Sequence, residues 1–309
     1  MALRAWLLGL MMGALCAPVA YGEELTVRFD NPTIDVQHLT RDEASAKREL
    51  DNPQTVAIAE AMGKLPPDTA FLVSLDAPGM SIAYHVGLLT RRQVVNDVAP
   101  PRVQSVVWHV PSGVVGIWQP EPASFEVGKM DVQRFYLSGL LSNQLPLFVD
   151  NRYESPWLPL PARAVGGHAV GKQLVMRPFY ISTLGDIYAA DTQMQVVVPT
   201  GGDVRRRGVH NLKLADIDTP DDPLNYVFLL SMDGTADVAL SVPLARVLGS
   251  APEEGHHVFN GQDIYIRSRS FPRGRIDMLA PAEVQVRQMM VKSSLLRTAF
   301  PQAGQVFPK

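Results

Sequence analysis

The acidic segment at residues 216–222 carries the side chains best suited to binding a hard metal ion. It reads Asp-Ile-Asp-Thr-Pro-Asp-Asp, so several carboxylates lie within one short stretch. Closely spaced aspartates in a loop supply the oxygen ligands that calcium prefers. Asp216, Asp218 and Asp221 are therefore candidate calcium ligands, and an acidic turn between two strands is the alternative interpretation.

A second candidate metal site is the pair His256 and His257, which follows two glutamates and a glycine. Imidazole nitrogens and carboxylate oxygens can together hold a divalent metal ion. Adjacent side chains on a strand point to opposite faces, so the two histidines can share one ion only if they lie in a loop. A solvated turn is the alternative.

The acidic segment and the residues that follow it, Leu224, Asn225 and Tyr226, together carry a family resemblance. They resemble the Asp-x-Asp loops between the strands of cadherin-like repeats. The resemblance covers this stretch alone, and it implies calcium as a cofactor bound between strands.

Arg267 and Arg269 are candidate binding residues because they are two positions apart. On a strand they share one face and form a positive stripe on an acidic protein. Such a stripe can dock an acidic protein, a phosphate group or a polyanionic glycan. The alternative is a charged strand edge that prevents aggregation. A second arginine cluster lies at residues 205–207.

Trp108 and Trp118 are candidate sugar-binding residues because they flank a predicted hairpin. If its loop is Pro111-Ser112-Gly113, both rings lie on one face of the ribbon and offer a stacking platform. If the loop is only Ser112-Gly113, the rings face opposite ways. Packing of both rings into the core is the alternative.

The sequence contains none of the local motifs of common enzymes. Gly-x-Ser-x-Gly, His-Glu-x-x-His, a phosphate-binding loop and EF-hand spacing are all missing from it. A triad assembled from distant residues leaves no such trace, so enzymatic activity stays open. We favour a non-catalytic binding or structural component of a bacterial envelope assembly over a periplasmic hydrolase or a glycan-binding protein.

The first 22 residues have the three parts of a secretory signal peptide. A start charged by Arg4 precedes an apolar run at residues 5–19, and Ala20-Tyr21-Gly22 ends in the small-x-small pattern of a cleavage site. The run is shorter than the roughly 20 residues of a membrane-spanning helix. We therefore predict cleavage near Gly22 and no transmembrane segment in the mature chain.

Composition favours a periplasmic or secreted bacterial protein. Cys16, the only cysteine, lies in the predicted signal peptide, so the mature chain has no disulfide, whereas exported eukaryotic domains usually contain them. Without Arg4 the chain carries 27 basic and 31 acidic side chains, a net charge of −4. This charge gives no general attraction to nucleic acid. Envelope proteins are the predicted partners, with glycan as a second option.

Strands dominate the elements that must position these residues. Hairpins are predicted at 71–86, 103–118 and 226–242, with a strand pair at 263–279. Helices are predicted at 41–50, 53–62, 131–143 and 281–300, and residues 145–165 read as an ordered, proline-rich linker.

The predicted fold is mainly β with minor α, in two β-sandwich-like lobes with an amphipathic helix at the C-terminus, because alternating strands need a second layer over their apolar faces. After the signal peptide at 1–22, we predict an N-terminal β-rich domain with a helical insertion at 23–150. A C-terminal β-rich domain ending in a helix follows at 151–309. Residues 71–76 (Phe-Leu-Val-Ser-Leu-Asp) resemble 228–233 (Phe-Leu-Leu-Ser-Met-Asp). The similarity indicates either a duplicated lobe or the apolar pattern that all hairpins share.

Overall fold

The computed structural model is mainly β, with strands forming 43% and helices 18% of it. It describes residues 19–21, 25–42, 49–75, 81–98, 102–121, 132–160, 162–232, 238–249, 251–300 and 302–305. The predicted fold class, mainly β with minor α, is confirmed. Most of the predicted signal peptide, the middle of the predicted helix at 41–50 and the tips of two predicted hairpins lie outside the described residues.

The strands are short and are numbered in chain order. They are β1 (Val19–Tyr21), β2 (Leu25–Val27), β3 (Thr40–Arg41), β4 (Leu50–Asp51), β5 (Thr55–Ala57), β6 (Ala70–Ser74), β7 (Ile82–His85), β8 (Val94–Asp97), β9 (Gln104–His109), β10 (Val114–Gln119), β11 (Phe135–Ser142), β12 (Leu145–Asp150), β13 (Pro156–Leu158), β14 (Arg163–Ala164), β15 (Val175–Met176), β16 (Phe179–Thr183), β17 (Gln195–Val197), β18 (Leu224–Ser231), β19 (Val238–Pro243), β20 (Glu254–Phe259), β21 (Gln262–Ser268), β22 (Ile276–Leu279), β23 (Gln285–Lys292) and β24 (Gly304–Gln305).

The helices are short, and most begin directly at the end of a strand. They are α1 (Ile58–Met62), α2 (Val86–Arg92), α3 (Leu184–Ala190), α4 (Gly201–Arg207), α5 (Leu214–Ile217), α6 (Leu244–Val247) and α7 (Ser293–Ala299), with 3₁₀ turns at Val36–His38 and Gly167–Ala169. In the described part of the chain, none of these helices has the length and apolar character needed to cross a membrane.

A nine-stranded sheet forms the middle layer of the protein. Its order is β24-β19-β18-β23-β10-β9-β8-β4, and β15 also pairs with β10. The β24–β19 and β4–β8 pairs are parallel, and the remaining pairs are antiparallel. Because the sheet combines β4 and β8–β10 with β18, β19 and β23, its hydrogen bonding crosses the predicted boundary at residue 150. The division into two domains stays a prediction.

Two five-stranded sheets pack on opposite faces of this layer. One has the order β16-β6-β7-β17-β5, and its side chains join those of the nine-stranded sheet in the largest apolar cluster. The other, β14-β13-β12-β11-β3, meets the opposite face, where Trp118 contacts the rings of Phe135 and Phe148 edge-on at centroid distances of 5.0 and 4.9 Å. A three-stranded sheet, β20-β21-β22, and the β1–β2 pair complete the fold.

The two similar segments fall on strands that hold equivalent places. The orders β16-β6-β7-β17 and β23-β18-β19-β24 each consist of two antiparallel pairs followed by one parallel pair. Residues 71–76 begin on β6 and residues 228–233 begin on β18. Two separate, duplicated sandwich lobes are nevertheless not confirmed, because β18 and β19 extend the same sheet as β9 and β10.

The predictions of helices at 131–143 and 281–300 are wrong in large part. β11 occupies residues 135–142 and pairs with both β12 and β3. β23 occupies residues 285–292 between β18 and β10, so only α7 remains of the predicted C-terminal helix. In both places, cross-strand pairing outweighs a weak helical periodicity. The predicted linker at 145–165 contains β12, β13 and β14, and of the predicted helix at 53–62 only residues 58–62 are helical.

Candidate functional site

A cavity of about 380 Å³ lies between α2, the β9–β10 turn and the segment at residues 208–219. This volume is within the range of small-molecule sites. The lining residues are Gly87, Thr90, Arg91, Trp108, Val110, Gly113, Gly208, His210, Leu212, Asp216, Ile217, Thr219, Leu224 and Lys292. The lining therefore combines five apolar side chains and three glycines with six polar or charged side chains.

Two glycines let the walls of the cavity approach closely. A Cβ atom on Gly87 would lie 1.9 Å from the carbonyl oxygen of His210, so the segment at 208–219 packs its backbone directly on α2. Gly113 has a φ of +64°, and a Cβ there would lie 2.6 Å from Cγ of Lys292 and 2.7 Å from Cδ2 of Leu224. The shape of the cavity thus depends on residues without side chains.

A third glycine opens space between two polar side chains. Gly208 ends α4 in the left-handed conformation, with a φ of +58°. A Cβ placed on it would lie 3.9 Å from Nε2 of His210 and 4.0 Å from a terminal nitrogen of Arg91. The imidazole of His210 and the guanidinium of Arg91 therefore border the same gap, which the missing side chain leaves open.

His85 fixes the segment that carries His210. It lies fully buried at the start of α2, where its Nδ1 accepts a hydrogen bond from the backbone N–H of Leu88 at 3.1 Å. Its Nε2 lies 3.0 Å from Oδ1 of Asn211, so the neutral imidazole donates to that amide oxygen. Burial lowers the pKa of His85 to about 4, which keeps the ring neutral at physiological pH.

A second buried imidazole lies behind the cavity wall. Nδ1 of His109 is 2.6 Å from Oγ of Ser112, and its Nε2 is 2.9 Å from Oδ2 of Asp42. Burial lowers the pKa of His109, and the hydrogen bond to Asp42 opposes that effect. A serine, a histidine and an aspartate linked in series have the composition of a nucleophile triad. The Ser112 hydroxyl, however, also accepts a hydrogen bond from the N–H of Val114 at 3.3 Å and is almost fully buried.

A further buried polar network connects the neighbouring strands β6, β7, β8 and β9. The hydroxyl of Tyr84 donates to Oδ2 of Asp97 at 2.9 Å and accepts from Nε2 of Gln104 at 2.6 Å. Ser74 donates to Oε1 of Gln104 at 2.8 Å, and Arg102 lies 3.3 Å from the same Asp97 oxygen. Burial raises the pKa of Asp97 and raises that of Tyr84 well above its usual range. Because the polar atoms satisfy one another, the network is structural.

The predicted calcium ligands do not converge. Oδ2 of Asp216 accepts from the N–H of Lys213 at 2.8 Å, and Oδ1 of Asp218 accepts from the N–H of Leu224 at 2.8 Å. Asp221 is exposed. Among the residues that the structure describes, no three His, Cys, Asp or Glu side chains are grouped to hold a metal ion. The carboxylates of Asp216 and Asp218 instead organise the turns around α5.

The two predicted histidine ligands lie on a strand, so they cannot share one ion. His256 and His257 are consecutive residues of β20 and point to opposite faces of its sheet. Nε2 of His256 lies 2.7 Å from Oδ1 of Asp263, and its ring stacks on Tyr265 with centroids 4.9 Å apart. The two histidines could bind one metal ion together only in a loop, and they lie on a strand instead.

The positive stripe on β21 is paired with carboxylates. Arg267 lies 2.7 Å from Glu254 across the β20–β21 pair, and Arg269 forms an ion pair with Asp277. Both arginines are exposed, so a docking role for them stays a prediction, but the stripe has little uncompensated charge. The side chains at 205–207 lie outside the described residues.

The two tryptophans do not form one stacking platform. In the β9–β10 pair, Trp108 lies opposite Val115, and Trp118 lies opposite Ser105. This register directs the two rings to opposite faces, and both are buried in separate apolar clusters. The predicted shared sugar platform is therefore wrong, although Trp108 does line the cavity.

Sequence reasoning missed Arg91, His210 and Lys292, which line the cavity together with Asp216. They lie far apart in the chain and belong to no local motif, and only the packing of three elements brings them together. The sequence features that could have indicated the cavity are Gly87 and Gly208. Neither glycine lies in a predicted hairpin turn or strand, so each could have been interpreted as a place of close backbone approach.

The chain belongs to the family described as "Protein of unknown function (DUF3179)", whose profile matches residues 49–264. That range includes Arg91, Trp108, His210 and Asp216, while Lys292 lies beyond it. Comparisons with curated proteins and with solved structures gave no match.

Proposed function

We propose that the protein is an exported, non-catalytic binding protein of the bacterial envelope that holds a small ligand in the cavity beside Arg91. The observation that carries this proposal is the cavity itself, in which apolar side chains and convergent polar groups line a space whose shape depends on three glycines. Sites of this kind bind small molecules in many folds.

A blocked cavity tests the proposal. Gly208→Asn places a side chain between Arg91 and His210, and asparagine tolerates the left-handed backbone better than most residues. Gly171→Asn is the matched control, because Gly171 also has a positive φ, of +84°, but a side chain there would meet nothing within 4 Å.

Each purified protein is heated with a small-molecule fraction of a bacterial envelope extract, and the unfolding temperature is recorded. We expect the fraction to raise the unfolding temperature of the wild type and of Gly171→Asn. We expect no rise for Gly208→Asn. Equal shifts in all three proteins would show that ligands bind elsewhere, and no shift in any of them would contradict the proposal.

A hydrolase is the second candidate function, because Ser112, His109 and Asp42 form a hydrogen-bonded series. Two observations favour a structural role for this series. The Ser112 hydroxyl is committed to the β9–β10 turn, and the cavity lining includes its neighbour Gly113 but not Ser112 itself. We therefore expect a fluorophosphonate probe to leave Ser112 unlabelled in the native protein. Labelling that Ser112→Ala abolishes would establish the hydrolase instead.

Export is supported by the N-terminal sequence alone. We propose cleavage after Gly22 and release into the periplasm, which would remove β1 from the mature chain. Mass spectrometry of the protein from a periplasmic fraction should find Glu23 at its N-terminus. Recovery from the cytosol with residues 1–22 still attached would contradict this part of the proposal.

We also propose that the protein docks to other envelope proteins. The sheet β20-β21-β22 supports this, because Val258, Tyr265 and Leu279 are exposed on one of its faces beside Arg267. Neighbouring apolar side chains on a surface commonly mark an interaction site. Mild crosslinking in envelope extract should recover a partner with the wild type, and recovery should fall with Tyr265→Ser combined with Leu279→Ser. Equal recovery with both proteins would place docking on another surface.

A further inference from the structure

We infer that the cavity selects a small organic oxyanion, a carboxylate or phosphate ester on an apolar body, with Arg91 binding the oxyanion. This inference rests on the proposed function, because it names the ligand class of the same cavity.

Arg91 has no ion-pair or hydrogen-bond partner among the described residues, and it borders the cavity. Its neighbour Arg92 shows the usual arrangement, since it forms an ion pair with Asp203 and donates to the carbonyl oxygen of Glu49 at 3.4 Å. Most other described arginines are also paired with carboxylates. A guanidinium with its donors free at a cavity wall is suited to bind an oxyanion through two parallel hydrogen bonds.

Lys292 supplies a second positive charge from another wall. Its backbone N–H donates to the carbonyl oxygen of Ser112 at 3.2 Å, and Gly113 packs on its stem, so its position is fixed. No ion pair to Lys292 is found in the part of the chain that the structure describes. Its charge acts on the nearby Asp222 and His109 without direct pairing.

Asp216 is the carboxylate in the cavity lining, and it is already engaged. Its Oδ2 accepts the backbone N–H of Lys213 at the start of α5. With Arg91 and Lys292 against one carboxylate, the lining has a net positive charge. An anionic ligand is therefore favoured over a cation.

The remaining wall determines the body of the ligand. Val110, Leu212 and Ile217 supply accessible apolar surface next to the cations, and the nearly buried Trp108 and Leu224 lie behind them. A wall of this kind favours a ligand with apolar groups that pack against it. An inorganic ion would leave this surface unused, so the arrangement favours an anionic group attached to an apolar or aromatic body.

The ligand class is tested by calorimetric titration of the mature protein with four probes. Phenyl phosphate and benzoate carry the proposed combination, inorganic phosphate lacks the body, and benzamide lacks the charge. We expect the two organic anions to bind roughly tenfold or more tightly than benzamide, since a hydrogen bond to a charged group contributes about 1.5–3 kcal/mol. We expect inorganic phosphate to bind more weakly than phenyl phosphate. Tighter binding of inorganic phosphate would identify a free-phosphate site and overturn the apolar-body part of the inference.

Two variants locate the binding. Arg91→Gln and Lys292→Gln should each weaken phenyl phosphate binding by roughly tenfold or more. Arg163→Gln is the control, because Arg163 is an exposed arginine of β14 outside the cavity lining and should leave the affinity unchanged. Added salt should weaken binding to the wild type.

The inference is overturned if Arg91→Gln binds phenyl phosphate as tightly as the wild type, or if none of the anions binds. If benzamide binds as tightly as benzoate and Gly208→Asn abolishes this binding, the cavity is a binding site but its ligand is not an oxyanion. If no probe binds and envelope extract does not raise the unfolding temperature, the proposed binding function itself is contradicted.

Discussion

At the scale of residues, the shape of the cavity depends on one neutral histidine and one glycine. His85 connects α2 to the segment at 208–219 through its two ring nitrogens, and it can do so only as a neutral imidazole. Gly87 provides the space in which the two backbones meet. A substitution at either position should therefore change both the shape of the cavity and the stability of the whole protein.

Protonation of His85 should destabilise the protein at mildly acidic pH. The pKa of His85 is lowered to about 4 by burial, whereas the unfolded chain has the ordinary value of 6.5. The unfolded state therefore binds the proton first, and the contribution of His85 is complete above pH 6.5 and is lost as the pH falls towards 4. A shift of this size corresponds to about 3 kcal/mol.

The variant His85→Asn isolates this effect, because asparagine can still cap α2 but does not titrate. Unfolding free energies of both proteins are measured by urea denaturation at pH 7 and near pH 4. We expect the difference between wild type and variant to shrink at the lower pH. A difference that is constant with pH would show that His85 is not the titrating group.

Gly87→Ala should destabilise the protein and deform the cavity, because the new methyl group would meet the carbonyl oxygen of His210 at 1.9 Å. Overpacking of this kind costs about 1–3 kcal/mol. Gly201→Ala is the control, since a Cβ at Gly201 meets nothing within 4 Å and that residue lies at the start of α4. Thermal unfolding should show a clear loss for the first variant only, and equal stabilities would contradict the close approach.

At the scale of elements, the cavity depends on how α2 and α4 are held together. Asp203 caps α4 through Thr200 and forms a buried ion pair with Arg92 of α2. Arg91 lies on α2 and Gly208 directly follows α4, and both border the same gap. The ion pair is therefore a structural support of the site and not a part of it.

Asp203→Ala should lower the unfolding free energy by about 3 kcal/mol, because it leaves the Arg92 charge unpaired in a poorly solvated position. Glu60→Ala is the control, since Glu60 pairs with Lys64 on an exposed helix surface, where such pairs contribute less than about 1 kcal/mol. Combining Arg92→Ala with Asp203→Ala should recover part of the loss. Chemical denaturation measures all four proteins, and equal losses for Asp203→Ala and Glu60→Ala would exclude this role.

The elements that could be predicted from sequence are the strand pairs, because each has two runs rich in β-branched and aromatic residues separated by turn-forming residues. β9 with β10 and β21 with β22 match the predicted segments closely. β11 and β23 could not be predicted, since their assignment depends on neighbours distant in the chain. The site was missed for the same reason: Arg91 and Lys292 are about two hundred residues apart and meet only after the nine-stranded sheet has formed.

At the scale of the whole molecule, both five-stranded sheets and the nine-stranded sheet combine strands from each side of residue 150. β16 and β17 pair with β6, β7 and β5, and β23 pairs with β10. Hydrogen bonds of this kind connect the halves more closely than a linker between independent domains does. We therefore expect one cooperative unit, in contrast to the two domains that the sequence suggests.

Expression of residues 151–309 alone decides between these possibilities. The fragment would expose unpaired edges of β16, β17 and β23, so we expect it to lack a cooperative thermal transition in circular dichroism. The mature chain is the control and should unfold in a single transition. A fragment that unfolds cooperatively at a similar temperature would support the division at residue 150.

The central claim, that the cavity binds an organic oxyanion at Arg91, is tested most directly by a crystal structure of the mature protein grown with phenyl phosphate. We predict density for the phosphate oxygens within hydrogen-bond distance of the Arg91 guanidinium, and for the phenyl ring against the apolar wall formed by Val110, Leu212 and Ile217. A fully occupied ligand at another surface, with an empty cavity, would contradict the account.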